Sequence, residues 1–365
     1  MQIKLFRKIA EIPEKDWLSV FPEVAGSYRF FAALDRLDFR QFRFYYLMAY
    51  EKDTPVGAAS LFLMDFQLDM GVRGILKRCT RFLKKIFPRL LGVKTLFCGS
   101  ISDRGRIGIN GNPAEVLDAF VAAMEELAKK EKAKAIVFKD FDPSYDRLMQ
   151  RLLEKGFLRQ KSLPSAVMDI TFSDFDAYLK TLSPVSRQGL RRKLKKISGS
   201  PHFDLEVTNL VNKEVSREMH GLYLETLKKA EIEFEELPRD YFAVISREMP
   251  ESNRCFLWRL EGRLIAFAQC FVSGSYFVDY YLGFDYAFAH QYNLYYLRFK
   301  ALLEWCMSNG MQAYEMGQSS YEIKRRLGFK FLPLSVYARP CSKLSLPLFK
   351  FYHRFLTFER FEPLP

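Results

Sequence analysis

Gly317-Gln-Ser-Ser-Tyr-Glu-Ile-Lys-Arg-Arg-Leu-Gly-Phe329 follows a short run, Gln312 to Met316. The run reads as a strand and Tyr321 to Leu327 as a short helix. Gly328-Phe329 stops that helix, since glycine accepts the left-handed backbone found at helix ends. A last strand covers Leu332 to Ala338. Towards the N-terminus, the spacing predicts a helix from about Asn293 to Ser308, with Leu294, Leu297, Ala301, Leu302, Trp305 and Cys306 on one face and Gly310 at its end. Before it come a strand, Tyr276 to Gly283, and a hairpin of Arg254–Leu260 and Leu264–Val272 around Glu261-Gly-Arg263.

The first half runs in the same order. Tyr45 to Phe66 is a hairpin, and Thr95 to Ser100 a strand. A helix starts near Pro113 with Leu117, Phe120, Val121, Met124, Leu127 and Ala128 inward. Ala135-Ile-Val-Phe138 is a buried strand, Tyr145 to Glu154 a helix closed by Gly156, and Phe157 opens a strand that Ala166 to Ile170 continues. Leu152-Leu-Glu-Lys-Gly-Phe157 answers Arg325-Arg-Leu-Gly-Phe329. A repeated element order predicts a duplication. The domains are expected at 1–172 and 173–342, followed by a basic aromatic tail over 343–365. The fold class is α/β (α+β), with a mixed central sheet flanked by helices in each half.

A chain of 365 residues is long enough for two cores, and 49% hydrophobic content argues against disorder. The 35 Phe and 19 Tyr suggest aromatic cores or an apolar pocket. A net charge of +13 attracts anions such as a nucleotide-type co-substrate, an acidic carrier protein, tRNA or an anionic membrane. The six Cys are scattered without C-x-x-C spacing, so neither a metal nor a dithiol redox site is indicated. The first residues lack the apolar core of a signal peptide, and no run of about 18 apolar residues is present. A cytoplasmic protein with free thiols is expected.

The element order and the segment Gly317 to Phe329 resemble the GNAT acyltransferase superfamily, in particular its Fem-type branch with tandem GNAT-like domains. The basic helix Ser186-Arg-Gln-Gly-Leu-Arg-Arg-Lys-Leu-Lys-Lys196 is similar to the one that opens the second lobe in that branch. The resemblance implies acyl transfer to an amine, in a gap where the fourth and fifth strands splay apart. Here these are Tyr276–Gly283 and Gln312–Gly317. Acetyl-CoA-dependent members carry a glycine-rich loop before the long helix, whose amides hold a pyrophosphate. The corresponding Phe284 to Asn293 has no such glycines. No tightly bound cofactor is implied. The co-substrate is acyl-CoA, an acyl carrier protein or, as in Fem-type enzymes, aminoacyl-tRNA.

Transfer to an amine needs a base, an oxyanion stabiliser and a proton for the leaving group. Asp279 lies mid-strand and is a candidate to orient or deprotonate the amine, or simply a hydrogen-bonded core residue. Tyr281 shares its face by the period of two and could donate a proton, although tyrosine is common in strands. His290 is a candidate base or phosphate ligand. Glu315 could pair with Lys324 or receive the amine. Gln318, Ser319, Tyr321, Lys324 and Arg325 are candidate donor-binding residues, against a bland reading as a polar loop and a solvated basic helix.

Gly71 to Lys94 carries eight cations and no acid, with apolar residues at helical spacing. It is expected to be an amphipathic helix inserted into the first lobe, packed on its own domain or lying on a membrane surface. Lys343 to Arg360 has a similar pattern. The expected function is N-acyl transfer from a thioester donor to an amine, at or near the inner membrane face. The alternatives are a tRNA-dependent aminoacyltransferase and a non-catalytic RNA- or membrane-binding relative.

Overall fold

The computed structural model describes residues 1–21, 27–67, 92–198, 202–230 and 234–342. Residues 71–91 of the expected inserted helix, and the tail over 343–365, lie outside them. The chain forms two compact units. Unit 1 contains the described residues of Met1–Leu163, Glu231–Glu236 and Pro333–Leu364; unit 2 contains those of Pro164–Ala230 and Leu237–Leu332.

In unit 1, β1 (Gln2–Phe6), β2 (Arg43–Glu51), β3 (Thr54–Gln67) and β4 (Gly92–Cys98) form an antiparallel array. A two-residue β5 (Gly108–Ile109) leans on β3. β6 (Ala135–Phe141) returns parallel to β4 after the long helix α3 (Pro113–Glu131). The shorter helices α1 (Glu14–Val20) and α2 (Tyr28–Arg36) precede β2. Asn112 caps α3 by accepting from Ala114 N, and Pro113 fills its first turn. Val116, Phe120, Met124 and Leu127 of α3 pack into the core with Leu47, Leu61, Leu96 and Ile136. The helix α4 (Asp146–Glu154) precedes β7 (Leu158–Lys161).

Unit 2 repeats the plan with β10 (Asn253–Leu260), β11 (Arg263–Ser273) and β12 (Tyr276–Phe284) antiparallel, then the long helix α10 (Leu294–Ser308) and β13 (Ala313–Glu315) parallel to β12. The helices α5 (Phe175–Thr181), α6 (Pro184–Ser198), α7 (Lys213–Leu227) and α8 (Tyr241–Glu248), with the edge strand β9 (Asp204–Thr208), precede the hairpin. A single turn, α9 (Tyr286–Ala289), follows β12, and α11 (Tyr321–Arg326) leads to β14 (Lys330–Leu332).

The strand assignments differ from the sequence reading at one place in each half. β8 (Ser165–Asp169), expected to continue the first sheet, pairs with β13 and β14 in the second. The run read as the last strand of the second half is two pieces, β14 and β15 (Ser335–Pro340), and β15 inserts between β6 and β7. The two sheets thus have matching ends, β6-β15-β7 and β13-β8-β14, each completed by a strand from the other half of the chain. Period and propensity predict that a strand exists; its partner depends on long-range pairing that neither encodes. Phe234, in the sequence of the second half, likewise packs on Phe42, Phe62 and Phe97 of unit 1.

Among the described residues no helix is long and apolar enough to cross a membrane. A fragment of residues 1–172 lacks β15 and leaves β6 and β7 unpaired, so it is expected to show no cooperative unfolding. Residues 1–163 joined through a flexible linker to 333–342 should recover it, as followed by circular dichroism during thermal melting. At Gly283, an added Cβ would sit 2.4 Å from the Phe267 ring and 2.7 Å from the Leu222 carbonyl carbon. Gly283→Ala is therefore expected to cost about 1–3 kcal/mol in denaturant unfolding.

Candidate active site at the fork between β12 and β13

β12 and β13 pair at three positions, Tyr276↔Ala313, Phe277↔Tyr314 and Val278↔Glu315. There they part. β12 continues to Phe284 along β11 alone, while the chain after Glu315 stays with β8 through Met316 N to Ala166 O and Ala166 N to Gly317 O. Lys324 fixes this divergence. Its side chain is buried, and its Nζ donates to Met316 O at 2.7 Å and Gly317 O at 3.2 Å. The ammonium expected to meet a donor phosphate is turned inward onto the end of β13.

A β-bulge decides which side chains face each other. Gln269 pairs with Tyr281 and Cys270 with Asp279, leaving Tyr280 as the extra residue. Neighbours on β11 point to opposite faces, so Asp279 and Tyr281 do too. The shared face predicted from a period of two is corrected by that one insertion.

Asp279 turns into the core under α10. Its Oδ2 accepts from Arg298 Nη1 and, at 3.2 Å, from Tyr314 Oη. Arg298 has 0% exposure. Burial alone would lower its proton affinity, but the Asp279 carboxylate and neighbouring phenols hold the guanidinium above its usual range. Cys270 Sγ lies 4.0 Å from Asp279 Oδ1. Burial, then the Asp279 charge, pushes that thiol well up. Burial also raises Cys98 and Cys306, and raises Cys255 to about 12. These thiols are poor nucleophiles at neutral pH.

Glu315 occupies the opposite face at the last paired position. It accepts from Ser165 Oγ and, at 2.5 Å, from Tyr276 Oη. Tyr281 is on that face, against Tyr223 and Tyr241 of α7 and α8, with ring centroids at 5.9 and 5.4 Å. His290 is exposed at the end of α9. Ser319 and Arg325 are exposed and Gln318 half-buried, whereas Tyr321 is buried and donates to Pro164 O at 2.9 Å. The structure therefore gathers Asp279, Tyr281 and Glu315 around the fork and leaves His290 in the connection to α10.

Arg298, Ser165 and Tyr276 were not among the sequence candidates. Arg298 had a signal. It stands four residues from both Leu294 and Leu302, a charge on an apolar stripe, which asks for a buried partner. Ser165 reaches Glu315 only because of the strand exchange. On α6, Arg187, Arg191, Arg192 and Lys193 have no ion pair among the described residues, and Lys193 Nζ lies 4.6 Å from the Tyr296 ring centroid.

Residues 185–325 match the acetyltransferase (GNAT) domain model. Two curated relatives from strains of Mycobacterium tuberculosis, each named putative 8-amino-7-oxononanoate synthase 2, are 25% identical over 323 residues. The match covers 86% of this chain and 42% of theirs, so the chain spans less than half the length of the relatives it matches. Among solved structures, FemX aligns with a TM-score of 0.59 at 13% identity, over 97% of this chain and 100% of its own. L-PGS from Bacillus licheniformis aligns at 0.52 and 13%, over 92% and 97%. A tandem GNAT protein from the clavulanic acid biosynthesis pathway aligns at 0.51 and 12%, over 93% and 99%. With the family's domain in its second half and the same plan repeated in its first, the chain belongs to the GNAT acyltransferase superfamily, in a Fem-like tandem arrangement.

Proposed function

We propose that the chain is an N-acyltransferase that moves an acyl group from a thioester donor, acyl-CoA or an acyl carrier protein, to an amine in unit 2. The observation that carries this reading is the parting of β12 and β13 beyond Val278 and Glu315. It leaves one edge of β12 free of β13 for an extended donor arm. The amine nitrogen attacks the thioester carbonyl carbon, the C–S bond breaks and an amide forms. The proton lost from nitrogen passes to Glu315, directly or through Tyr276 Oη, and Tyr281 supplies a proton to the departing thiolate. Asp279, held by Arg298 and Tyr314, positions β12 and does not take the proton, because its lone pairs are already engaged. Gln318, Ser319 and Arg325 contact the phosphates of the donor, with His290 at the approach to α10.

A second reading takes aminoacyl-tRNA as donor. The α6 cations and the glycine-free connection Phe284–Asn293 favour it, since a row of unpaired cations suits a phosphate backbone. Work at an anionic membrane surface remains part of the proposal through the basic stretches 71–94 and 343–360.

Acetyl-CoA at 100 times its Kd is expected to stabilise the protein by about 2.7 kcal/mol, while total tRNA at 0.15 M salt does not. The reverse pattern in a thermal-shift assay transfers the proposal to the second reading. Glu315→Gln should lower turnover, followed as free thiol released from an acyl-CoA and amine panel, by about 10²–10⁴-fold. Unchanged turnover removes Glu315 from the mechanism. Asp279→Asn strands a buried guanidinium and is expected to cost about 3–5 kcal/mol in urea unfolding, most of it recovered in the double variant Asp279→Leu with Arg298→Met.

A further inference from the structure

Arg298 commits Nη1 to Asp279, while its Nε and Nη2 are buried with no acceptor among the described residues. Tyr295, one turn earlier on α10, brings its ring centroid to 5.5 Å from the guanidinium carbon. Its hydroxyl is also buried and lies beside the guanidinium without reaching hydrogen-bond geometry. Burial pushes that phenol up to about 12, so it is a donor at neutral pH. Three donor atoms thus converge in a dry core, and a buried donor left without an acceptor loses its hydration with nothing in return. The charge narrows what can complete them. Asp279 already balances Arg298, so a carboxylate or phosphate there would add a negative charge with no counter-cation. The fitting acceptor is an oxygen without net charge. The cluster also has a particular place: Asp279 is the first residue of β12 past its last pair with β13.

We propose that Arg298 and Tyr295 form a buried receptor for one uncharged oxygen, a water in the resting protein and a carbonyl of the donor when one is bound. The second occupant rests on the reading that the donor lies between β12 and β13. Crystal structures of the full chain, free and with acetyl-CoA, at a resolution that resolves ordered waters, test both. The free protein should hold an oxygen within hydrogen-bond reach of Tyr295 Oη and of Arg298 Nε or Nη2. With acetyl-CoA a carbonyl of the probe should replace it. A dry site, or a protein group turned into it, overturns the receptor. Tyr295→Phe keeps the ring and removes one donor. It should weaken acetyl-CoA about tenfold, the equivalent of one hydrogen bond, with the melting temperature within about 2 °C of the parent. Unchanged affinity overturns the donor's part in the receptor. A parent protein that does not bind acetyl-CoA sinks the thioester reading instead, and the ligand-free map still decides whether the receptor exists.

Discussion

A guanidinium stripped of water persists in an apolar core only beside a carboxylate that shares its burial. In unit 2 that requirement ties α10 to β12 at Asp279, the residue where β12 leaves β13. The tie reaches further through Tyr314, which stands on β13 and donates to the same carboxylate oxygen. One anion thus joins the long helix and both arms of the fork. On the other side, Lys324 holds the carbonyls of Met316 and Gly317 and keeps β13 turned towards β8. A gap between two strands normally closes, because unpaired backbone edges seek partners. Here it is held open from below by an ion pair and from the side by a buried lysine.

Much of this fold was legible because it depends on local periodicity. The stripe of α3 and the stop at Gly328 each follow from spacing or from one residue's backbone freedom. Gly328 does adopt a positive φ of 84°. The fork was legible only as an implication of family resemblance. The bulge at Tyr280 was not, since a single inserted residue leaves the alternation of large side chains almost unchanged while reversing the faces of everything beyond it. The exchange of β8 and β15 was hidden for a related reason. Both strands look like ordinary continuations of the half they follow, and their partners lie more than a hundred residues away. The carboxylate roles shifted accordingly. Asp279, the more conspicuous acid among aromatics, proved to be a core partner of Arg298. Glu315 gained its position on the acceptor side through Ser165, a residue of the exchanged strand.

The duplication raises the question of why one fork rather than two should admit a donor. In unit 1, β4 and β6 pair through Cys98↔Phe138 and then separate just as their counterparts do. The chain leaving β4 turns back at once. Gly105 N donates to Asp140 O at 2.9 Å, and Asp140 itself takes a left-handed backbone with φ of 60°. A Cβ at Gly105 would lie 2.1 Å from Lys139 O and 2.6 Å from the Phe141 ring, so only a glycine lets the backbone come this close. The loop therefore occupies the edge of β6 that an extended ligand would need. In unit 2 the segment following β12 instead forms the capped turn α9, with Asp285 accepting from Ala287 N, and runs straight into α10. The same plan, given a glycine-bearing loop in one copy and a capped helical turn in the other, closes the first fork with its own backbone and leaves the second for chemistry.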